Sequence, residues 1–345
     1  MIHIDGSYGE GGGQILRYGI ALSVYTKQPI TITDIRAKRD NPGLRPQHFT
    51  AVSCIKKICN AQTQGLHIGS KKLMFIPGEI QPDTYYFDIG TAGSICLIFQ
   101  TCILSLLQTP KPITIHMIGG TDVPWAPTWD YFTNIFLSLL KKMGILITAT
   151  LTKRGYYPKG AGKATITIQP LQSIKQITFD TTALYETIHA TITTSKLPAH
   201  IQKRIKHTLI QQSIQQNLQC HIKTNTSDAE SPGVVTTLWT SSPNILGTTI
   251  LGKKAVPSEQ IAKQAFQNIF NDIKNNTTID SYAIDQLLPY IALAHESTTA
   301  TLSHLTNHTK TTMWLLQQFF NQNISFKYTH NSISFKPLIH NDEKH

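Results

Sequence analysis

A glycine-rich stretch at residues 9–17 is the first part of the chain with the composition of a phosphate-binding loop. It reads Gly-Glu-Gly-Gly-Gly-Gln-Ile-Leu-Arg, and its glycines would let backbone amides approach an anion at the start of the apolar helix that follows. It is neither a P-loop, because no Gly-Lys-Ser/Thr follows, nor a dinucleotide-binding fingerprint. A purely structural turn is the alternative, but Glu10 and Arg17 beside the glycines favour a ligand-binding loop.

A second candidate is the cationic loop at residues 35–48, which reads Ile-Arg-Ala-Lys-Arg-Asp-Asn-Pro-Gly-Leu-Arg-Pro-Gln-His. Its cationic side chains are Arg36, Lys38, Arg39 and Arg45. Charges this close repel each other unless an anion lies between them, and arginine grips a doubly charged phosphate in a bidentate way that lysine cannot. We predict a phosphate site here, with a solvated basic loop as the alternative.

Two histidines four residues apart, His304 and His308, stand where an apolar helix begins. Such spacing occurs in zinc sites, but no glutamate follows the first histidine as in a metalloprotease helix, and the sequence suggests no third ligand nearby. A neutral imidazole at a helix start could instead attack a phosphorus atom. Spacing alone leaves an ordinary, non-catalytic histidine as the alternative.

Composition and charge limit the classes of protein to which the chain can belong. Its 345 residues are 40% apolar, enough for a packed core, and 31 Lys and Arg against 20 Asp and Glu give a formal net charge of +11. This charge predicts an anionic partner without choosing among nucleic acid, nucleotide and membrane surface. Since the sequence shows no apolar run of the ~18 residues that cross a bilayer, no signal-peptide pattern and no Cys-x-x-Cys pair, we expect a cytoplasmic protein with five reduced, buried thiols.

Hydrophobic periodicity predicts the elements that must position these residues. Apolar residues recur with the helical period over residues 95–106, over residues 132–143 and from about Ser258 to Ile273. Gly144 should stop the second of these helices and Ser258 should cap the third. Strands are predicted at residues 113–118, 145–150 and 164–169. Because strands and helices interleave, we predict a layered α/β or α+β fold.

One arrangement recurs along the chain, a glycine-rich loop followed by an apolar helix. It occurs at residues 9–17 and again at residues 90–100, which predicts a structural repeat of roughly 80 to 90 residues. From residue 182 to residue 278 the composition shifts to Gln, Asn, Thr and Lys. We therefore expect a separate, smaller module at 182–278, after which the chain returns to the first core.

Taken together, these motifs resemble the RNA 3'-terminal phosphate cyclase family, in order over nearly the whole chain. The resemblance rests on Asp5-Gly6 with the stretch at 9–17, on residues 35–39, 42–44 and 47–48, on Gly-Thr-Ala-Gly-Ser at 90–94 with Gln100, on Gly-Gly-Thr-Asp at 119–122 with Ala126 and Pro127, on Arg-Gly-Tyr-Tyr-Pro-Lys-Gly at 154–160, on Asp285 and Gln286, and on His-Thr-Lys-Thr at 308–311.

The resemblance implies roles for individual residues. His308 matches the catalytic histidine that takes the AMP group. The nucleotide would be bound by Glu10, Gln100, Pro127, Tyr282, Asp285, Gln286 and His308, with Pro127 and Tyr282 sandwiching adenine. The RNA 3'-phosphate would be bound by Arg17, Arg36, Arg39 and Gln47. Glu10 is in addition the candidate metal ligand.

The resemblance also implies an activity and a fold. The activity is ATP-dependent conversion of an RNA 3'-terminal phosphate to a 2',3'-cyclic phosphate through a covalent histidine-AMP intermediate, with Mg2+ or Mn2+. RNA 3'-phosphate ends and ATP would be the partners, with no membrane and the oligomeric state left open. The fold would be a large domain of three repeated α/β units (1–181 and 279–340), related to the 5-enolpyruvylshikimate-3-phosphate synthase fold, with a small α/β domain inserted at 182–278.

The sequence departs from the family pattern at three places. Ala161 stands where a third glycine is usual, Gly-Lys-Lys-Ala at 252–255 replaces a more typical Gly-Glu-Arg-Gly, and Thr312 replaces a common Asn. Two other functions stay open: a non-catalytic RNA-binding or ribosome-assembly protein on the same fold, and a synthase of the shikimate type. Neither would need His308.

Overall fold

The computed structural model describes residues 1–182, 184–294 and 296–337, so residues 338–340 of the predicted large domain lie outside the described part. The predicted mixed α/β architecture is confirmed: helices pack against four small sheets. Within the described ranges, no helix combines the length and the apolar character needed to span a bilayer. All five cysteines are free, and four of them are buried while Cys220 is half-buried.

The first unit of the chain is a four-stranded sheet covered by two helices. It consists of β1 (Ile2–Asp5), α1 (Gly13–Thr26), β2 (Ile30–Thr33), α2 (Pro46–Ile58), β3 (Gln62–Gln64) and β4 (Leu73–Ile76). The strand order is β1-β2-β4-β3; β1 and β2 are parallel, and the other pairs are antiparallel. The parallel pair requires a crossover, and α1 provides it.

The second unit repeats this topology, which confirms the predicted structural repeat. It consists of β5 (Thr84–Asp88), α3 (Ile95–Ser105), β6 (Ile113–Gly119), α4 (Trp129–Tyr131), a π-helical turn (Phe132–Phe136), α5 (Leu137–Lys142), β7 (Ile147–Lys153) and β8 (Gly162–Ile168). The order β5-β6-β8-β7 again has one parallel pair, β5 with β6. The helix predicted over 132–143 is present but contains the π-helical turn, and Gly144, at φ +82°, ends it as predicted.

The third unit has the same plan without a regular first strand. It consists of α8 (Ser281–Leu293), β13 (Thr298–Thr301), α9 (Asn307–Phe320), a 3-10 turn (Asn321–Asn323), β14 (Ile324–Tyr328) and β15 (Ser332–Pro337), in the order β13-β15-β14. The carbonyl of buried Ile177 accepts a hydrogen bond from Thr298 Oγ1 (3.3 Å) beside β13, where the first strand of the other units would lie. Helices α1, α3, α8 and α9 pack together, so the three units share one core. The relation to the synthase fold stays a prediction.

Between Ile177 and α8 the chain forms a fourth sheet with its own apolar core. Its elements are β9 (Thr187–Ser195), α6 (Ala199–Gln215), β10 (Gln219–Ser227), β11 (Gly233–Trp239), β12 (Gly247–Leu251) and α7 (Ser258–Lys274), in the strand order β10-β9-β11-β12. Its buried residues, such as Ile192 and Phe266, form a cluster separate from the main core. These contacts support the module that we propose at 182–278. The predicted cap was wrong, since Pro257 is the N-cap of α7 and Ser258 is its first residue.

Two of the departures from the family pattern place alanine where the backbone is left-handed. Ala161 has φ +55° and Ala255 has φ +66°. A side chain is disfavoured in this region and glycine is not. The glycines usual at these positions therefore fit a backbone that this chain retains with alanine.

A buried ion-pair network fastens the loop after β6 to the loop after β7. Arg154 Nη1 donates to both carboxylate oxygens of Asp122 (3.1 and 3.0 Å), and its Nη2 donates to Asp130 Oδ1 (2.6 Å). Asp122 Oδ1 also accepts from the N–H of Trp129 (3.1 Å), which fixes the start of α4. Burial raises the pKa of Asp130, and Arg154 opposes that rise. Each charge in this network depends on its partner, because an unpaired buried charge is strongly unfavourable.

Arg154→Ala should therefore lower the free energy of unfolding by about 3–5 kcal/mol, since it leaves two buried carboxylates without their cation. Lys27→Ala is the control: it removes an exposed pair with Glu79 (3.4 Å), and such pairs contribute about 0–1 kcal/mol. Urea denaturation of both variants measures the difference. Equal effects of the two substitutions would contradict a structural role for the buried network.

Candidate active site

The glycine-rich loop between β1 and α1 leaves the N-terminus of α1 open to a ligand. Gly9 and Gly11 have φ of +59° and +55°, and a Cβ on Gly13 would overlap the imidazole of His48. Gly12 is the N-cap of α1, and no side chain within the described ranges caps this helix. Its first N–H groups are therefore available to an anion, which the positive end of the helix also favours.

The cationic loop packs directly against the glycine loop. Lys38 Nζ donates to the carbonyl of Gly9 (2.8 Å), and Arg39 Nη2 lies 3.5 Å from Glu10 Oε2. Arg36 is engaged differently, since its Nη1 donates to the carbonyls of residues 41 and 43 (2.6 and 3.1 Å) and so holds the loop itself. Arg39 is thus the arginine of this loop that faces the glycine loop, while Arg36 shapes the backbone that carries it.

His308 lies in the first turn of α9, and a hydrogen bond to Gln14 in α1 fixes its ring. Gln14 Nε2 donates to Thr312 Oγ1 (2.6 Å) and to the carbonyl of His308 (3.3 Å), so its Oε1 faces His308 Nδ1 at 2.7 Å. Because Oε1 can only accept, Nδ1 carries the proton and Nε2 has the free lone pair. The network therefore selects the tautomer in which Nε2 can act as a nucleophile.

The environment of His308 also favours its neutral form. Burial lowers the pKa of the imidazole, and the positive charges of Arg17 and Arg39 lower it further, while Glu10 acts in the opposite direction. Glu10 Oε2 lies 3.4 Å from His308 Nε2, which is longer than an ordinary hydrogen bond. A neutral imidazole near pH 7 is the state that a nucleophile requires.

Asp285 lies beneath the N-terminus of α9 and supports it. Its Oδ1 accepts hydrogen bonds from Thr306 Oγ1 (2.7 Å) and from Thr309 Oγ1, and Thr306 in turn caps the helix by accepting from the N–H of Thr309 (2.9 Å). Burial raises the pKa of Asp285 to about 7. The sequence predicted a nucleotide contact for this residue, which stays a prediction; in the structure, Asp285 positions the turn that carries His308.

Three glutamines predicted to bind ligands connect helices of different units. Gln100 Nε2 in α3 donates to Gln286 Oε1 in α8, and Gln286 Nε2 donates to the carbonyl of Tyr282 (2.9 Å). Gln47, in the first turn of α2, accepts from the N–H of Ser94, the N-cap of α3 (2.7 Å). Their side-chain amides thus link α2 to the start of α3, and α3 to α8.

Pro127 and Tyr282 lie at the starts of two helices that are tied together. Tyr282 is 65% exposed at the beginning of α8, and Pro127 is half-buried just before α4. Tyr131 Oη donates to Asp280 Oδ1 (2.6 Å), and Asp280 caps α8 by accepting from the N–H of Tyr282 (3.1 Å). The described contacts bring these two segments together, while the sandwiching of adenine stays a prediction.

Three residues that the structure places in the site had no role predicted for them. Gln14 and His48 were part of the motifs, and Thr312 was noted as a departure from the family pattern. Thr312 Oγ1 links Gln14 to α9. His48 is buried beside Gly13, and burial, with Arg17, Arg36 and Arg45 nearby, lowers its pKa to about 3. Their place within the motifs was a sequence signal that they lie near the site. Their contacts could not be predicted, because the residues that they contact lie far away in the sequence.

A metal ion would have few protein ligands here. Among the residues that the structure describes, no cluster of three or more His, Cys, Asp or Glu side chains is arranged to hold one. Mg2+ often takes one or two carboxylates and completes its shell with substrate phosphates and water. The exposed carboxylate of Glu10, beside the open end of α1, fits that requirement.

Comparison with known proteins supports the same interpretation. The family model described as RNA 3'-terminal phosphate cyclase matches residues 8–326. Similar proteins carrying that name include one from Pyrococcus abyssi, 38% identical over 92% of this chain and 93% of its own, one from Methanosarcina barkeri, 38% identical over 92% and 94%, and one from Archaeoglobus fulgidus, 35% identical over 95% and 98%. The chain belongs to the RNA 3'-terminal phosphate cyclase family.

Proposed function

We propose that this chain uses ATP to convert an RNA 3'-terminal phosphate to a 2',3'-cyclic phosphate, with His308 as the covalent nucleophile. The observation that carries the proposal is the hydrogen bond between His308 Nδ1 and Gln14 Oε1 (2.7 Å), which leaves Nε2 with its lone pair among cationic groups. Family membership supports the reaction class. The five free cysteines support a reducing, cytoplasmic location.

The first step transfers AMP to the protein. His308 Nε2 attacks the α-phosphorus of ATP; a phosphorus–nitrogen bond forms, the bond to the β-phosphate oxygen breaks, and pyrophosphate leaves. The hydrogen bond from Nδ1–H to Gln14 stabilises the positive charge that develops on the ring, as oriented partners of catalytic histidines do.

The second and third steps activate and close the RNA end. An oxygen of the 3'-phosphate attacks the phosphorus of the histidine adduct, which breaks the phosphorus–nitrogen bond and releases neutral His308. The neighbouring 2'-hydroxyl then attacks the 3'-phosphorus, loses its proton and displaces AMP. A ribose end is therefore required, since the 2'-hydroxyl is a reactant.

The positive charge around His308 suits this chemistry. Arg39 and Lys38 lie against the glycine loop, Arg17 lies close enough to lower the pKa of His308, and the open N-terminus of α1 adds its dipole. We assign the RNA 3'-phosphate to Arg17, Arg36, Arg39 and Gln47, with Arg39 as the direct bidentate contact. Arg36 and Gln47 would act by holding the loops, because their polar groups bind backbone.

The nucleotide would lie on the side of Gln100, Pro127, Tyr282, Asp285 and Gln286. Tyr282 offers an exposed ring for adenine, whereas Asp285 and Gln286 are buried and hold the helix ends around it. Glu10 would hold Mg2+ or Mn2+, which supplies charge neutralisation for the phosphates when bound.

His308→Asn should abolish covalent labelling of the protein by α-labelled ATP, because no other imidazole occupies this position. His304→Ala is the matched control and should label like wild type, since the exposed ring of His304 lies against the hydroxyls of Ser281 and Ser303 (3.4 and 3.3 Å) and, among the described residues, takes no part in the hydrogen bonds around His308. The adduct should be labile to acid and stable to alkali, as a phosphoramidate is. AMP mapped to another side chain would overturn the assignment, and a folded wild type that never labels would point to a non-catalytic RNA-binding protein.

Arg39→Ala should weaken the preference for a 3'-phosphate end over a 3'-hydroxyl end by about tenfold to a hundredfold, because a charge-assisted contact contributes roughly 1.5–3 kcal/mol. Arg204→Ala is the control, since Arg204 is also an exposed arginine paired with a glutamate, Glu259. Binding of the two RNA ends measures the preference. Equal loss of affinity for both ends would make Arg39 a general backbone contact instead.

Tyr282→Ala should raise the KM for ATP in self-labelling by roughly tenfold, while Tyr282→Phe should keep it, because stacking needs the ring and not the hydroxyl. Tyr328→Ala, which removes another exposed tyrosine on β14, serves as the control. An unchanged KM in Tyr282→Ala would remove this residue from the nucleotide site.

A further inference from the structure

Two aromatic side chains extend into solvent from adjacent loops near the candidate active site. Trp125, in the loop between β6 and α4, is 99% exposed, and Tyr157, in the loop between β7 and β8, is 68% exposed. Rings this exposed add almost nothing to the stability of the core. Single exposed apolar residues are common, so the loops that carry these two must show whether the pair has a function.

Both loops are fixed by the same buried contacts. The N–H groups of Thr121 and Asp122 donate to the carbonyl of Gly155 (2.9 and 3.1 Å), and Arg154 joins the loops through its pair with Asp122. Tyr156, which precedes Tyr157 in the chain, is buried against the sheet of the small module. The exposed rings are therefore attached to ordered backbone, which lowers the entropy lost when they bind a ligand.

The backbone of Trp125 gives an independent indication. Its φ is +60°, a left-handed conformation that is unusual for a bulky residue. Such conformations persist where the surrounding structure imposes them, and they cluster at ligand-binding sites. Here the conformation places the indole of Trp125 in solvent, and packing within the described part of the chain does not account for that placement.

These loops are continuous with the proposed binding site for the RNA 3'-phosphate. Gln47 binds the N–H of Ser94 in the glycine loop at 90–94. On its other side the same loop touches both aromatic-bearing loops, because Gly120 and Gly160 pack against Ala92 so closely that a Cβ on either would clash. Packing contacts thus connect Gln47, through the glycine loop at 90–94, to the two loops that carry the exposed rings.

Lysines flank the loop that carries Tyr157, with Lys153 at the end of β7 and Lys159 two residues after the ring. Lys153 Nζ donates to Glu230 Oε1 and Lys196 Nζ to the Glu230 carbonyl, both at 3.1 Å. Lys153 lowers the pKa of Glu230 most, and Lys159 and Lys196 lower it further. Three cations therefore surround one carboxylate, and the net charge of this cluster is positive. A polyanion would complement it.

We propose that Trp125 and Tyr157 form an aromatic rim that stacks on bases of the single-stranded RNA preceding the 3'-terminal phosphate. Lys153, Lys159 and Lys196 contact the phosphates of the same segment. The rim rests on the proposed function, since it extends the RNA site of that reaction. Every base has a flat face, so stacking of this kind tolerates any sequence, and the rim would hold diverse RNA ends at His308.

The test measures binding of fluorescent, 3'-phosphorylated hexaribonucleotides to the full chain by anisotropy, without ATP. Tyr157→Ala and Trp125→Ala should each weaken binding by about tenfold, because each removes the stacking of one base on an aromatic ring. Phe at either position should restore most of the affinity. Tyr86→Ala is the matched control: Tyr86 is 69% exposed but stacks on His116 within strands β5 and β6, outside the two loops that carry the rim, and its removal should leave binding unchanged.

RNA variants test the same contact without changing the protein. Abasic nucleotides at successive positions upstream of the 3'-phosphate should weaken binding to wild type and remove the difference between wild type and Tyr157→Ala. Hexamer affinities that are equal in wild type and both alanine variants would overturn the rim, as would full tolerance of abasic nucleotides. The proposed function has its own test, which is covalent labelling by ATP. Because the binding assay contains no ATP, failure of the rim and failure of the proposed function are distinguishable.

Discussion

The hydrogen bond between His308 and Gln14 joins two residues at opposite ends of the sequence, and the candidate site depends on it. Gln14 belongs to α1 in the first unit, and His308 belongs to α9 in the third. The bond can form because α1 and α9 pack side by side in the shared core. This contact thus sets the tautomer of His308 and helps to fix the first unit against the last.

The site is a place where helix N-termini converge. Gln14 links α1 to α9, Asp285 links α8 to the cap of α9, and Gln47 links α2 to the cap of α3. Each of these helices directs the positive end of its dipole toward the same region. Arginines and lysines of the loops add full charges, so the repeated α/β unit itself produces an environment suited to phosphate.

Much of this arrangement could be predicted from sequence because it is local. The period of apolar residues predicted α3 and α7, and the recurring glycine loop predicted the repeat of the first two units. Ser258 was a wrong cap because the chain enters α7 through Pro257. The roles of Gln14 and Thr312 could not be predicted, since their hydrogen bonds cross almost 300 residues and depend on packing. Nor could the sequence show that the guanidinium of Arg36 would bind its own loop.

Two networks of buried polar groups lie next to segments that carry residues of the proposed sites. Asp285 stays buried beneath the turn that carries His308, although burial raises its pKa to about 7. Arg154 and its two carboxylates are buried beneath the loops that carry Trp125 and Tyr157. Apolar residues would fill either place with less desolvation, but they would not fix the direction of a helix turn or a loop. Both networks therefore fix the position of a helix turn or a loop at a cost in the stability of the fold, as sequences do near functional sites.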